Sequence, residues 1–278
     1  MNMEKQASYI KRIEIDGLWG QFSVHWDLRP DVNILSGING VGKTTILNRS
    51  VGHLEQLSGE VKSDLKNGVR IFFDTPEATF IPYDVIRSYD RPLIQADLVN
   101  RVPDGNVRSE LDWQLYLLQR KYLDYQVNIG NKMIELLNSN DEEQRSRAAD
   151  LAIPKKKFQD MVDNLFGYTH KTIDRKRNDI AFYQNNELLF PNKLSSGEKQ
   201  MLVILLTVLV RDNEHCVLFM DEPEASLHIE WQQKLISMIR ELNPNEQIIL
   251  TTHSPAVIME GWLDAVTEVS DISTPLQK

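Results

Sequence analysis

The sequence predicts an α/β fold with an N-terminal β subdomain and a helical insertion, and three observations carry that prediction. A glycine-rich loop, Gly37-Ile38-Asn39-Gly40-Val41-Gly42-Lys43-Thr44-Thr45, lies between an apolar strand pattern and the start of a helical one. Two later apolar runs, 217–220 and 248–250, each end in side chains able to do chemistry. Between them and the loop, roughly residues 96–178 carry the three-to-four-residue periodicity of helices.

The first strand follows from Ile10, Ile13 and Ile15 set among Lys11, Arg12 and Glu14, the pattern of a partly exposed strand. Gly17-Leu18-Trp19-Gly20 reads as a turn and Phe22-Ser23-Val24-His25-Trp26 as a second strand. A hairpin then leads into a buried strand, Val32-Asn33-Ile34-Leu35. Trp19 and Phe22 are candidates for stacking on a base, packing within the hairpin is the competing reading, and the base is left unassigned.

The loop fits G-x-x-x-x-G-K-[ST] and stands between strand and helix, as that pattern requires. Its glycines let the backbone close around an anion without Cβ clashes. Backbone N–H groups and the positive end of the helix then face the phosphates. Lys43 would reach the β- and γ-phosphates and the Thr44 hydroxyl would ligate Mg²⁺. Gly37, Asn39, Gly40, Gly42, Lys43, Thr44 and Thr45 are therefore candidate nucleotide-binding residues, where a glycine-rich turn that binds nothing is the alternative.

A helix from the loop toward Gly59 is followed by extended segments at 69–73 and 80–86, the second broken by Asp90-Arg91-Pro92. Leu111, Leu115, Leu118, Tyr122 and Tyr125 then mark one helical face, with Ser109 as N-cap and Asn138-Ser139-Asn140-Asp141 as terminator. A second insertion helix carries Phe158, Met161, Val162, Leu165 and Phe166 to Gly167. No long heptad array is present, which excludes a very long coiled-coil arm. Lys155-Lys156-Lys157, His170-Lys171 and Arg175-Lys176-Arg177 concentrate positive charge, read either as a solvated face or as a contact for DNA phosphates.

The 278 residues are 41% hydrophobic and 26% charged, ordinary for a globular protein. A formal net charge of −9 argues against a surface that coats nucleic acid generally. The single cysteine, Cys216, adjoins an apolar run, which suggests a buried thiol and a reducing, cytoplasmic setting. Residues 1–8 lack the apolar core of a signal peptide. The longest apolar run, 201–210, is about half the length that spans a bilayer, so a buried helix without membrane insertion is expected.

Four stretches in the second half act together. They are Leu194-Ser195-Ser196-Gly197-Glu198-Lys199-Gln200, the strand end Asp221-Glu222, the following Glu224-Ala225-Ser226-Leu227-His228, and Thr251-Thr252-His253-Ser254. Singly, each has a plain reading: Ser195 with Glu198 is a capping box, and a lone histidine is usually structural. Their order after a phosphate loop resembles the ABC-type ATPase heads: loop, signature, Asp-Glu strand end, D-loop and switch histidine. The resemblance covers nearly the whole chain apart from the insertion, and implies one ABC-ATPase-type P-loop NTPase domain over residues 1–278.

It further implies ATP and Mg²⁺ as ligands. Asp221 and Thr44 would hold the metal, Glu222 would polarise the attacking water as general base, and His253 would sense the γ-phosphate. Ser195 and Gly197 would face the nucleotide of a second subunit, giving a homodimer or a heterodimer around an ATP sandwich. The family's glutamine after the next strand is missing from its natural place, where Tyr89-Asp90 stands with Gln95 beyond.

The signature and D-loop strings look like the RecF, SMC and OLD branch, and closest to small stand-alone AAA-type ATPases of bacterial defence loci. About 25 residues follow His253, too few for the Toprim nuclease of OLD proteins, so a nuclease or toxin effector is expected on another chain. The energy subunit of a membrane transporter and a DNA repair or recombination ATPase are the alternatives.

Overall fold

The computed structural model describes residues 5–57, 68–87 and 107–276. In β1 (Ile10–Leu18), Ile10, Ile13, Ile15 and Leu18 point inward and the charges point out. This strand pairs antiparallel with β2 (Phe22–Asp27), setting Ile13 opposite Trp26 and Ile15 opposite Val24. After β3 (Val32–Ser36), β4 (Val69–Phe73) pairs with the other edge of β1. A late strand, β12 (Ser273–Pro275), lies outside β2 and completes a four-stranded antiparallel subdomain.

The second sheet is parallel and five-stranded. Its order is β11 (Val266–Glu268), β3, β10 (Glu246–Thr251), β9 (Cys216–Asp221) and β5 (Tyr83–Arg87). Strands β9 and β10 are buried on both faces, which is why they read as continuous apolar runs without alternation. Cys216 starts β9 fully buried, and burial pushes its thiol pKa up. Helix α1 (Lys43–Leu57) follows β3 and packs between the two sheets through Ile46, Leu47, Val51 and Leu54.

The insertion stands between β5 and β9. Helix α2 (Glu110–Leu137) starts at Ser109, whose hydroxyl accepts from the Asp112 N–H while the Asp112 carboxylate accepts from the Ser109 N–H. It ends at Asn138. A short α3 (Glu142–Arg147) and α4 (Ile153–Phe166) complete the helices. A meander follows: β6 (Lys171–Ile173), β7 (Phe182–Gln184) and β8 (Glu187–Leu189). Asn185 and Asn186 turn β7 into β8 with φ of 50° and 68°, the left-handed pair of a type I′ turn.

Helix α5 (Ser196–Leu209) is buried on every side from Glu198 onward, as its unbroken apolar run demands. α2 and α4 join its core through Leu115, Tyr122, Phe158 and Phe166. Helices α6 (Ile229–Leu242), α7 (Pro255–Met259) and α8 (Val269–Ile272) follow among the last strands. Among the described residues no helix is long and apolar enough to cross a membrane.

Much of the basic concentration in the insertion is engaged within the chain. Lys155 donates to Gln126, Lys157 pairs with Glu241, Arg175 with Asp160 and Asp163, and Arg177 with Asp179. Lys171 is buried against Glu198. The solvated-face reading fits this better than a row of cations aimed at DNA.

Glu246 opens β10 fully buried, and one carboxylate oxygen accepts from Asn243 Nδ2 at 2.8 Å. Burial, with the charge of Asp84, pushes its pKa up to about 8 from an ordinary 4.5. The folded chain therefore keeps a proton that the unfolded chain releases, and stability falls as pH rises through that window. The slope is up to about 1.4 kcal/mol per pH unit. Denaturation midpoints across the window should show the decline in the parent protein and a flatter line in Glu246→Gln. Equal slopes in both would assign the decline to other groups.

Candidate nucleotide site

The site forms where the parallel strands end. Strand β3 stops at Ser36, and the chain then turns through Gly37, Gly40 and Gly42, all with positive φ, before α1 begins at Lys43. Gly42, at φ 107°, is where a side chain is excluded twice. Its backbone is left-handed, and a Cβ there would lie 2.5 Å from the Trp19 ring. Trp19, about half exposed, thus lies against the loop, whereas Phe22 packs against the apolar cluster of the β subdomain. Asn39 and Gly40 form the exposed tip, Thr45 is half-buried, and the Ile46 N–H donates to Gly42 O to start the helix.

Lys43 folds back across the loop, its Nζ donating to Gly37 O at 2.9 Å and Ile38 O at 3.2 Å. Burial pushes the ammonium pKa down, against the pull of the Glu222, Asp221 and Glu224 carboxylates. Beside it, the Thr44 hydroxyl donates to Asp221 Oδ1 at 2.9 Å, and the Thr251 hydroxyl donates to the same oxygen at 2.6 Å. Asp221 ends β9 and Thr251 ends β10 in direct register, so the parallel pairing itself sets this convergence.

Glu222 follows at φ 48°, a left-handed conformation that costs a non-glycine residue about 1 kcal/mol or more. Its N–H donates to Thr251 O, and its carboxylate lies 3.0 Å from His253 Nε2. Both side chains remain partly open to solvent. Glu224, which sequence reasoning placed only in a D-loop string, holds the histidine's turn. Its Oε1 accepts from Thr252 Oγ1 at 2.5 Å, from the His253 N–H at 3.0 Å and from the Ser254 N–H at 3.3 Å.

A cavity of about 370 Å³ opens beside the Thr44–Asp221 contact and is lined also by Asn48, Arg87 and Glu110. Arg87 ends β5 in register with Asp221. No motif marks it in the sequence, and the pairing of β5 with β9 is what brings it here. Asp90 and Gln95, the two candidates for the missing glutamine, lie outside the described residues.

The signature residues form a second group. Ser195 caps α5: its hydroxyl accepts from the Glu198 N–H, and its own N–H donates to Glu198 Oε2 at 2.9 Å. The bonds of Ser195 go to Glu198 and Lys199 and none of them to the loop. Glu198 Oε1 accepts from Thr169 Oγ1 and Lys171 Nζ, each at 2.8 Å. Burial pushes this carboxyl up, but the bonds from Lys171, Ser195 and Thr169 outweigh it and hold the pKa below the usual range. Lys199 pairs with Asp112 at the start of α2, so adjacent residues tie the signature to both ends of the insertion. Gly197 packs on the following loop, where a Cβ would lie 2.5 Å from Ser226 O. Ser195 and Ser196 face solvent.

The structure therefore gathers Lys43, Thr44, Asp221, Glu222 and His253 at the carboxyl ends of the central strands β3, β9 and β10 and presents Ser195 and Gly197 elsewhere. Residues 86–260 match the family model described as "AAA domain, putative AbiEii toxin, Type IV TA system". The chain belongs to this family. The Septu protein PtuA of Bacillus thuringiensis is 26% identical over 299 aligned positions, covering 92% of this chain and 74% of that protein. The Retron Ec83 probable ATPase of Escherichia coli is 32% identical over 108 positions, covering 35% of this chain and 20% of that protein. Among solved structures, an Smc head bound to the C-winged helix domain of ScpA superposes with a TM-score of 0.51 at 12% identity, covering 96% of this chain and 97% of that one. The family member thus has the fold of an Smc head.

Proposed function

We propose that this chain binds and hydrolyses ATP with Mg²⁺, closes as a dimer around the nucleotide, and through that cycle controls a separate effector in anti-phage defence. The observation that carries the reading is the division of the candidate residues. A loop, a hydroxyl–carboxylate pair and a Glu–His pair meet at the carboxyl ends of the central strands, while the exposed signature bonds to none of the loop. One chain therefore holds two complementary half-sites, and a second chain, identical or homologous, completes them.

The donors fit the metal. Thr44 and Asp221 offer a hydroxyl and a carboxylate oxygen already 2.9 Å apart, the hard oxygen ligands that Mg²⁺ takes. Bound there, the ion would neutralise charge on the β- and γ-phosphate oxygens. Lys43 exchanges its two loop carbonyls for phosphate oxygens. Glu222 takes a proton from the attacking water, and His253, held by Glu224, orients that water or the γ-phosphate.

Support for the defence role comes from the Septu and retron relatives. A nuclease or toxin is the kind of effector that suits such a system, and the internally paired charges of the insertion favour a protein partner over DNA. The lone buried thiol suits a reducing cytoplasm. Transporter and repair roles fit the signature and D-loop strings less well.

Ser195→Arg tests the division. ATP binding by one chain should persist, because Ser195 has no bond to its own loop. Hydrolysis should drop, because a bulky cation blocks closure on a second nucleotide. Loss of the helix cap costs about 1 kcal/mol, so a melting curve accompanies the assay. Mixed with Lys43→Ala, this variant forms at most one site with both a sound loop and a sound signature. Full activity of Ser195→Arg alone would show that the signature is not used between chains.

A further inference from the structure

Strand β5 delivers a cation to the Thr44–Asp221 pair. Where β5 runs beside β9, Val85 stands next to Phe219, Ile86 next to Met220 and Arg87 next to Asp221. Side chains alternate between the two faces of a strand. Val85 and Phe219 pack in the cluster around α1, whereas Ile86 and Met220 pack in the cluster of the other face. Arg87 and Asp221 therefore leave the sheet side by side on the α1 face, from strands about 4.8 Å apart. Thr44, bonded to Asp221, belongs to that helix.

Sheet order adds the direction. Strands β3, which feeds the loop, and β10 lie on one side of β9, and β5 lies on the other. Lys43 comes to Asp221 from the loop side, and Arg87 from the opposite flank. Arg87 is the one cation among the described residues lining the cavity of about 370 Å³, where Glu55 and Glu110 add carboxylates. Its side chain is exposed and makes no hydrogen bond or ion pair with the described residues. Arg211, by contrast, is bound to Asp84 of the same strand.

Charge says what such a cation does. Asp221, Glu222 and Glu224 all act on the Lys43 ammonium, so a triphosphate enters surroundings that are already negative. In hydrolysis the water oxygen bonds to the γ-phosphorus, and the bond from that phosphorus to the β–γ bridging oxygen breaks. A water proton passes to Glu222, and ADP and inorganic phosphate form. Between reactant and product, negative charge spreads over the equatorial oxygens of the γ-phosphoryl group. A guanidinium set against those oxygens donates N–H bonds and gives up no proton.

We propose that Arg87 is a catalytic residue, its charge stabilising the γ-phosphoryl group in the transition state from the flank of Asp221 opposite Lys43. The inference rests on the ATP-hydrolysis reading above and adds to it a cation that no motif marks.

The test uses the full chain with ATP and Mg²⁺. Arg87→Ala should lower kcat by about 10- to 10²-fold, the loss of one charge-assisted bond. ATP affinity should stay within a few-fold, because the loop and Lys43 hold the ground state. A second readout needs no turnover. Affinity for ADP with Mg²⁺ and aluminium fluoride, a mimic of the phosphoryl group in flight, should fall by about the same factor as kcat. Arg87→Lys keeps the charge without the planar fork and should recover part of both losses. Arg87→Gln keeps a donor without the charge and should match Arg87→Ala. Melting temperature should hold throughout, since the side chain has no bond to lose.

A parent rate in Arg87→Ala, beside lost binding in Lys43→Ala, would overturn the role of Arg87 and leave the ATPase reading standing. A parent rate in Arg87→Gln would remove the charge from the argument and overturn it equally. Equal losses of ATP and analogue affinity would mean uniform binding, without a transition-state role. Recovery of the rate on adding Glu110→Gln to Arg87→Ala would show that the arginine only balances that carboxylate. A parent protein that hydrolyses no ATP would remove the reading itself, and this inference with it.

Discussion

Lys43→Ala is expected to lose ATP binding while keeping its fold. The ammonium is nearly buried and makes two hydrogen bonds, to Gly37 O and Ile38 O. In the proposed complex those bonds pass to phosphate oxygens. Each charge-assisted bond is worth about 1.5–3 kcal/mol, so losing two raises Kd by about 10²-fold or more. The fold bears a smaller change. Burial already disfavours the ammonium, as its lowered pKa records, and alanine removes that desolvated charge together with its two carbonyl contacts. A melting temperature within a few degrees of the parent, beside a titration with no saturable ATP binding, is the expected pair of results. Unchanged ATP affinity would defeat the assignment of the loop.

How much of this site could be read from sequence depends on how local each signal is. The loop glycines, the strand ending at Asp221 and the helix between Ser109 and Asn138 announce themselves within a few residues, and the structure has each of those elements. The β6–β8 meander does not, because strands of three residues are too short for an alternation to register.

Long-range pairings are invisible for a different reason. Glu224 is buried under three donors that lie 28 to 30 residues away. Arg87 joins the cavity through the register of two strands over 130 residues apart in sequence. The cluster of lysines and arginines looks basic as a string, yet Lys157, Arg175 and Arg177 meet Glu241, Asp160, Asp163 and Asp179 from the same and neighbouring elements. The placement of Trp19 against Gly42 likewise needs the hairpin folded over the loop, since nothing in either segment names the other.

Glu222→Gln should separate binding from chemistry most sharply. The residue sits just after the Asp221–Thr44–Thr251 group and is anchored through its backbone N–H to Thr251, so a neutral side chain of the same shape leaves that group in place. Gln at this position still reaches His253, now through an amide instead of a carboxylate. What it lacks is a basic oxygen to accept the proton of the attacking water. A positioned general base contributes about 10²–10⁴ in rate, equivalent to roughly 3–5.5 kcal/mol of barrier. Hydrolysis should fall by that factor while ATP and Mg²⁺ affinity stay within a few-fold of the parent. In the proposed cycle turnover reopens the closed ATP dimer, so the variant should accumulate as that dimer at saturating ATP. Light scattering with and without ATP reads this directly, and adding Ser195→Arg to the same chain should return it to the nucleotide-free distribution. A Glu222→Gln protein whose mass does not change on adding ATP would remove the shared-site model, and one that hydrolyses ATP at the parent rate would remove Glu222 as the base.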